Sequence, residues 1–454
     1  MAVHDEERED DGSAFVGYNE WAGEALKVHV ATDFVYEAGE EGERGVFIAE
    51  DIAPHAEVFR IPLDSVLSVR SFQANAALKA TPFFQQLLPE REDEQLALAL
   101  LYEKFVAGKA SKWAKHIELL PETYHNALFF TEQERALLKG SNLFFIAQQM
   151  DAKVASDFAR LRESVLVELF ENITESISLD RFDAYFSLDN YRWALSTIWS
   201  RFVSLRVEDD APDAAALETS KIRAVKGMVP VFDMLNHDPE AEMSHFVDAE
   251  ARCFKLVSHQ HWNAGSQLFI NYGPLSNHKL LTLYGFVIPD NPFDAIDVWM
   301  PMDDATTKLY DAKAELLLQN GLDHDTNSFE LTADEVNELL LVAVRIQEIE
   351  CETTDELERL AQKALDGEVI SAENEQTTLT RLIFTLEKML EQYPGTQEED
   401  DALLVELEKA ATDVEDDHAR HERMAIVVRQ SDKHILAENI RMLKWKLLEV
   451  LPQQ

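Results

Sequence analysis

VPVFDMLNH, residues 229–237, decides how the rest of this chain is read. An apolar run from Val229 to Phe232 ends in Asp233, Asn236 and His237, three side chains that offer directional hydrogen bonds. A buried cluster of this kind needs partners, because an unpaired buried polar group costs about 1–3 kcal/mol. Further along, a second apolar run leads into INYG (270–273) and then SNHKLLTLYGF (276–286). Two apolar strands that each finish in polar or aromatic groups predict a pocket built where strands end.

The composition narrows the function classes. The 454 residues suffice for two or three domains. The 41 basic and 85 acidic side chains give a net charge of −44. Nucleic-acid binding needs a basic face, since phosphate contacts supply most of the affinity, so this balance argues against it. An acidic body favours solubility and attracts basic partners. Cys253 and Cys351 are the two cysteines, which excludes a disulfide framework and a Cys-rich zinc site. The N-terminus, MAVHDEEREDDGSAF, has neither the apolar core of a secretory signal nor the Arg/Ser-rich character of a transit peptide. No apolar run approaches bilayer-spanning length. The expected location is the cytoplasm, with the nucleus left open.

Taken in order, residues 1–19 form an acidic, disordered N-terminus. Strand signals run from Trp21 to about Val69: Phe34 to Tyr36, GVFIA (45–49) and EVFRI (57–61). The loop AGEEGERG (38–45) carries three glycines, and its spacing fits neither GxGxxG nor a Walker loop. Residues 72–200 read as helical. QLALALLYEKFVAG (95–108) has helical spacing and a stop at Gly108, and Thr131 with Glu134 forms a capping box. Helices are expected near 151–171 and 181–204 and a polar loop over 205–224. Strands then resume over the opening stretch, CFKLV (253–257) and QLFINY (267–272), with a turn at Asn263–Gly265. Residues 303–452 show helical periodicity without strong strand signal and read as an antiparallel bundle, with the boundary near 300.

Several chemistries are disfavoured by motif. His237, Asp238, His245, His259 and His261 cluster in sequence, yet no HExxH pattern occurs and no metal is expected. A GxSxG elbow and a P-loop Lys-Ser/Thr motif are absent from the sequence. Arg201 closes the aromatic-rich segment RFDAYFSLDNYRWALSTIWSR. A buried guanidinium needs an anionic partner, and spacing alone favours a carboxylate of the protein over one of a ligand.

Four segments, ERGVF (43–47), WSR (199–201), DMLNH (233–237) and INYG…SN…LYGF (270–286), resemble in kind and order the SET-domain protein methyltransferases of the Rubisco large-subunit methyltransferase branch. The resemblance covers roughly residues 20–450. It implies an α+β fold: a β-rich SET domain over 20–300, split by a helical insertion at about 72–200, and an all-helical substrate-binding domain over 301–454. It implies S-adenosylmethionine as methyl donor, leaving S-adenosylhomocysteine. Backbone at Glu43, Arg44 and Gly45 would hold the methionine end, and Arg201 would pair with its carboxylate, which reverses the spacing-based preference. Asn236 and His237 would hydrogen-bond the donor, Tyr284 and Phe286 would pack on the adenine, and Asp233 matches a further site residue.

Tyr272 matches the catalytic tyrosine at the base of a channel that admits the target side chain, with Phe202, Val203 and Phe232 as lining. Glu43 stands where the family loop often has a second glycine. The histidine-methylating branch has asparagine and tryptophan where Val203 and Phe232 stand here, which favours lysine. The expectation is a protein-lysine N-methyltransferase acting on a non-histone protein. The C-terminal helical domain would dock that protein, and the enzyme would be monomeric, without nucleic-acid or membrane partners. Protein-histidine methylation and a non-catalytic scaffold are the alternatives.

Overall fold

A computed structural model of the chain describes residues 15–38, 44–72, 75–208, 222–410 and 416–450. The expected disorder of residues 1–14, most of the glycine loop including Glu43, and residues 209–221 of the expected polar loop lie outside the described residues. The chain divides into two compact units, Met1–Tyr124 with Asp151–Pro274, and His125–Met150 with Leu275–Gln454.

Among the described residues, eleven short strands belong to the first unit: β1 (His29–Val30), β2 (Phe34–Ala38), β3 (Arg44–Ile48), β4 (Glu57–Pro62), β5 (Leu67–Ser68), β6 (Phe202–Glu208), β7 (Ile222–Met228), β8 (Asn236–His237), β9 (Met243–Asp248), β10 (Cys253–Ser258) and β11 (Phe269–Ile270). The largest sheet has the order β1-β4-β10-β9, and β5-β7-β6 forms a second. At the centre of the larger sheet Phe254 lies opposite Ile61 and Leu256 opposite Phe59, all four buried. Aromatic and branched residues paired across strands are the stabilising unit of a sheet. β2 pairs with β3, and β8 runs parallel to β11.

The helical insertion packs as its pattern predicts. Every residue from Gln95 to Leu101 is buried, so the Glu92–Leu101 helix, polar in its first turn, serves as core from Leu96 onward. Gly108 stops the turn that follows, with φ +51°. The expected helix over 181–204 is two helices, Leu179–Tyr185 and Leu188–Arg201. Ser187 restarts the second by accepting from Asn190 N–H at 3.3 Å.

The opening stretch differs from a strand. β7 ends at Met228, Val231 takes φ +75°, and Phe232–Met234 forms a 3-10 turn. Val229, Val231 and Phe232 are nonetheless buried. The apolar run is core, but it is core made by a turn. A second departure is the helix Tyr18–Ala25: its first two residues fall within the stretch 1–19 expected to be disordered, and the others where the signals began as strand.

The second unit is mainly helical. Its core is built by Glu338–Gln347, Thr354–Leu365, Ala372–Leu390 and the long helix Asp417–Val450. It also contains a two-stranded sheet, β12 (Ile296–Val298) with β13 (Phe329–Leu331), which the periodicity did not signal. Among the described residues no helix is long and apolar enough to cross a membrane.

Candidate active site

The site residues of the first unit are brought together by three backbone segments. Leu268 N–H donates to Val46 O at 2.7 Å, and β11 runs beside β8, so residues 266–270 lie between the Arg44–Ile48 strand and the DMLNH segment. Asn236 Nδ2 then reaches the Arg44 carbonyl at 2.8 Å and Gln267 Oε1 at 2.9 Å. Gly45 makes this approach possible. A Cβ there would stand 2.9 Å from Gln267 Cδ and 2.8 Å from the Phe47 ring. Arg44 points its guanidinium elsewhere, to Leu119 O at 2.9 Å, which leaves its backbone as the group facing Asn236.

Arg201 sits in the last turn of the Leu188–Arg201 helix, and the chain turns into β6 immediately after it. A cation there is favoured by the helix dipole. Its Nη1 donates to the Asp233 carbonyl at 2.6 Å. Burial would lower its pKa, but Tyr124, Asp233 and Tyr272 outweigh that and keep the guanidinium charged. Its Nε is buried and has no hydrogen-bond partner, as is Asp233 Oδ1. Leaving such a group unpaired costs about 1–3 kcal/mol.

Tyr272 follows β11. Its hydroxyl donates to Leu235 O at 2.7 Å, and its ring stacks on His237 with centroids 5.0 Å apart. The Tyr272 N–H donates to His237 Nδ1 at 3.1 Å, a shorter contact than the 3.4 Å from that nitrogen to Ile270 O. An accepting Nδ1 puts the proton on Nε2 of a neutral ring. Burial pushes the His237 pKa down and keeps it neutral.

The channel candidates are distributed. Phe202 and Val203 are half-buried at the start of β6, and Lys226 Nζ lies 4.6 Å above the Phe202 ring. That lysine pairs with Asp93 at 2.6 Å. Phe232 is buried against Phe254 and His245, with ring centroids 4.9 and 5.3 Å away. Tyr284 and Phe286 belong to the second unit, where they meet edge to face at 6.1 Å.

Gln267, Tyr124, His116 and Tyr18 lie against these candidate residues and were not singled out by motif. His116 Nε2 lies 3.0 Å from Asp233 Oδ2, and His116 Nδ1 lies 2.8 Å from the Tyr18 hydroxyl. No local signal marks them, because each stands in an ordinary sequence setting and meets its partner from a distant part of the chain.

Residues 304–436 match the family model Rubisco LSMT substrate-binding. The ribosomal lysine N-methyltransferase of Schizosaccharomyces pombe is 28% identical over 277 residues, 60% of this chain and 45% of that protein. The actin-histidine N-methyltransferase of Drosophila melanogaster is 27% identical over 271 residues, 57% of this chain and 48% of that protein. The aligned part thus spans about half the length of these relatives. A crystal structure of the SET domain of LSMT with methyl-lysine and AdoHcy superposes with TM-score 0.75 at 21% identity, covering 96% of this chain and 93% of that one. The chain has the fold of the Rubisco large-subunit type of SET-domain methyltransferase, with the helical substrate-binding domain of that type at its C-terminal end.

Proposed function

We propose that this chain is an S-adenosylmethionine-dependent protein-lysine N-methyltransferase acting on a non-histone protein. The observation that carries the reading is Arg201: a buried guanidinium whose Nε has no partner, beside Asp233 and within the field of Tyr272. A guanidinium in that state fits the carboxylate of an amino-acid ligand.

When bound, S-adenosylmethionine supplies a methyl group on a positive sulfonium. Arg201 would hold its carboxylate, and backbone of the Arg44–Gly45 and Asn236–His237 segments would hold the rest. Methyl transfer is an in-line displacement, so the protein contributes mainly by positioning. Tyr272 is fixed at both ends, by its hydroxyl on Leu235 O and its ring on His237, and offers an oriented oxygen to the incoming amine. The amine must be uncharged, and for lysine deprotonation at neutral pH costs about 4–5 kcal/mol. An apolar channel lining would reduce that cost by disfavouring the ammonium, and half-buried Val203 is the candidate the geometry leaves for it. The substrate-binding description of the helical region supports a protein substrate docked there.

The second reading, histidine methylation, is favoured by the actin-histidine relatives at 25–27% identity. Val203 and Phe232, in place of asparagine and tryptophan, weigh toward lysine.

The test is incubation with methyl-labelled S-adenosylmethionine and a cell lysate, followed by mass-spectrometric mapping of the modified residue. Discrete labelled proteins carrying methyl-lysine are expected, and methyl-histidine would decide for the second reading. Tyr272→Phe should cut the rate roughly a hundredfold, in the range of losing one oriented catalytic group. Its affinity for S-adenosylhomocysteine should change less than threefold. An undiminished rate removes Tyr272 from the chemistry, and no labelling with the wild type leaves a scaffold.

A further inference from the structure

The turn that carries Asp233 is held in a conformation its sequence resists. Val231 has φ +75° and ψ −52°. This is the strained γ-turn region, and a β-branched residue adopts positive φ only when its surroundings enforce it. The Val231 backbone is directed at the Tyr18 oxygen, where it favours the oxygen's negative form. The Tyr18 hydroxyl meets His116 Nδ1 at 2.8 Å, and His116 Nε2 meets Asp233 Oδ2 at 3.0 Å. Tyr18 and His116 are 0% exposed, as is the Asp233 side chain. The partners fix the direction of every bond. A carboxylate only accepts, so Nε2 donates to Asp233, and with the ring neutral Nδ1 is the acceptor for the Tyr18 hydroxyl.

We propose that Tyr18 and His116 are positioning residues of the methyltransfer site. Tyr18 grips the strained residue and His116 grips Asp233 two positions later. Together they hold the turn so that the Asp233 carbonyl takes Arg201 Nη1 at 2.6 Å and leaves Arg201 Nε open toward the donor's carboxylate. Neither side chain touches the donor in this account, and both act through Arg201. The inference rests on the reading of the site as a methyl-donor site.

Calorimetry with S-adenosylhomocysteine tests it. The wild type must bind, and failure there sinks the functional reading rather than this one. With binding established, His116→Leu should weaken affinity at least tenfold. His116→Gln, whose amide can accept from Tyr18 and donate to Asp233, should stay within about threefold. The double variant His116→Leu/Val231→Gly should recover most of the loss, because glycine takes positive φ without strain and no longer needs the grip. Wild-type affinity in His116→Leu overturns the proposal. Equal losses in the Leu and Gln variants with no rescue by glycine also overturn it, since that pattern is general destabilisation. Should His116→Leu fail to fold by circular dichroism, Tyr18→Phe and Tyr18→Phe/Val231→Gly replace it. A several-fold loss restored by glycine supports the proposal, and unchanged affinity in Tyr18→Phe overturns it.

Discussion

A single methyl group added at position 45 tests how closely the site is built. Gly45 lies in extended backbone, so the cost of Gly45→Ala is steric rather than conformational. The new Cβ would stand under 3.0 Å from both the Phe47 ring and Gln267. Gln267 is the softer neighbour, and moving it removes one of the two acceptors of Asn236 Nδ2. Overpacking of this kind costs about 1–3 kcal/mol. We expect a lowered melting temperature and an S-adenosylhomocysteine affinity roughly tenfold weaker, which is about 1.4 kcal/mol. An unchanged dissociation constant would separate Gly45 from the ligand. At this scale the sequence marked residues whose type is rare in its setting. Arg201 at the end of an aromatic helix and Asn236–His237 after an apolar run were visible for that reason. Gln267, His116 and Tyr18 were not, because each is ordinary locally and gains meaning only from a partner far away in the chain.

Elements were legible where local chemistry sets their ends. Thr131 accepts from Glu134 N–H at 3.2 Å while Glu134 Oε2 accepts from Thr131 N–H at 2.7 Å, so the capping box is formed as its spacing implied. Short strands were not legible. β12 and β13 have three residues each, too few to display an alternation, and they exist because they pair with one another. Val229–Phe232 shows the other failure. Apolar content specified burial, whereas the turn at Val231 depends on tertiary bonds that periodicity does not carry.

The capping glutamate also does more than its spacing revealed. Its Oε1 lies 3.1 Å from His418 Nδ1 and its Oε2 lies 3.1 Å from His421 Nδ1, which joins it to the start of the Asp417–Val450 helix. Burial would raise its pKa, but the Thr131 backbone and the two histidines bring it down to about 2. A depressed carboxylate contributes stability that is present above its ordinary value near 4.5 and is lost as pH falls toward 2. Glu134→Gln should therefore lower stability at neutral pH by about 1.5–3 kcal/mol, the worth of buried bonds to a charged group. It should also flatten part of the acid limb of the unfolding profile between pH 5 and 2. A mutant with the wild-type acid limb would show that the histidines do not depend on the charge.

At the scale of the whole molecule, a net charge of −44 means that titrating cations meet carboxylates far more often than they meet one another. In the second unit this is concentrated at His278. Its Nε2 lies 2.8 Å from Asp432 Oδ1 and 3.2 Å from Ser141 Oγ, while Tyr393 donates to the other Asp432 oxygen at 2.9 Å. Four distant stretches of chain meet there, so the cluster ties the helical unit together. Burial alone would lower the His278 pKa. The Asp432 ion pair and hydrogen bond, with Asp294 and Asp297 nearby, overcome burial and raise it above the usual histidine value. A raised histidine contributes stability that is fully present below about pH 6.5 and is lost as pH rises through the folded-state value. The unfolding free energy of the wild type should thus decline from about pH 6.5 upward. His278→Gln keeps a donor but removes the charge, leaving a buried carboxylate without a counter-ion, and should cost roughly 3 kcal/mol at pH 6. The gap between the two proteins should narrow as pH rises, because the wild type is then losing the same charge. Denaturant unfolding at pH 6 and pH 9 measures both terms, and a gap that stays constant across that range would mean that His278 is neutral at pH 6 and that its bond to Asp432 is an uncharged one.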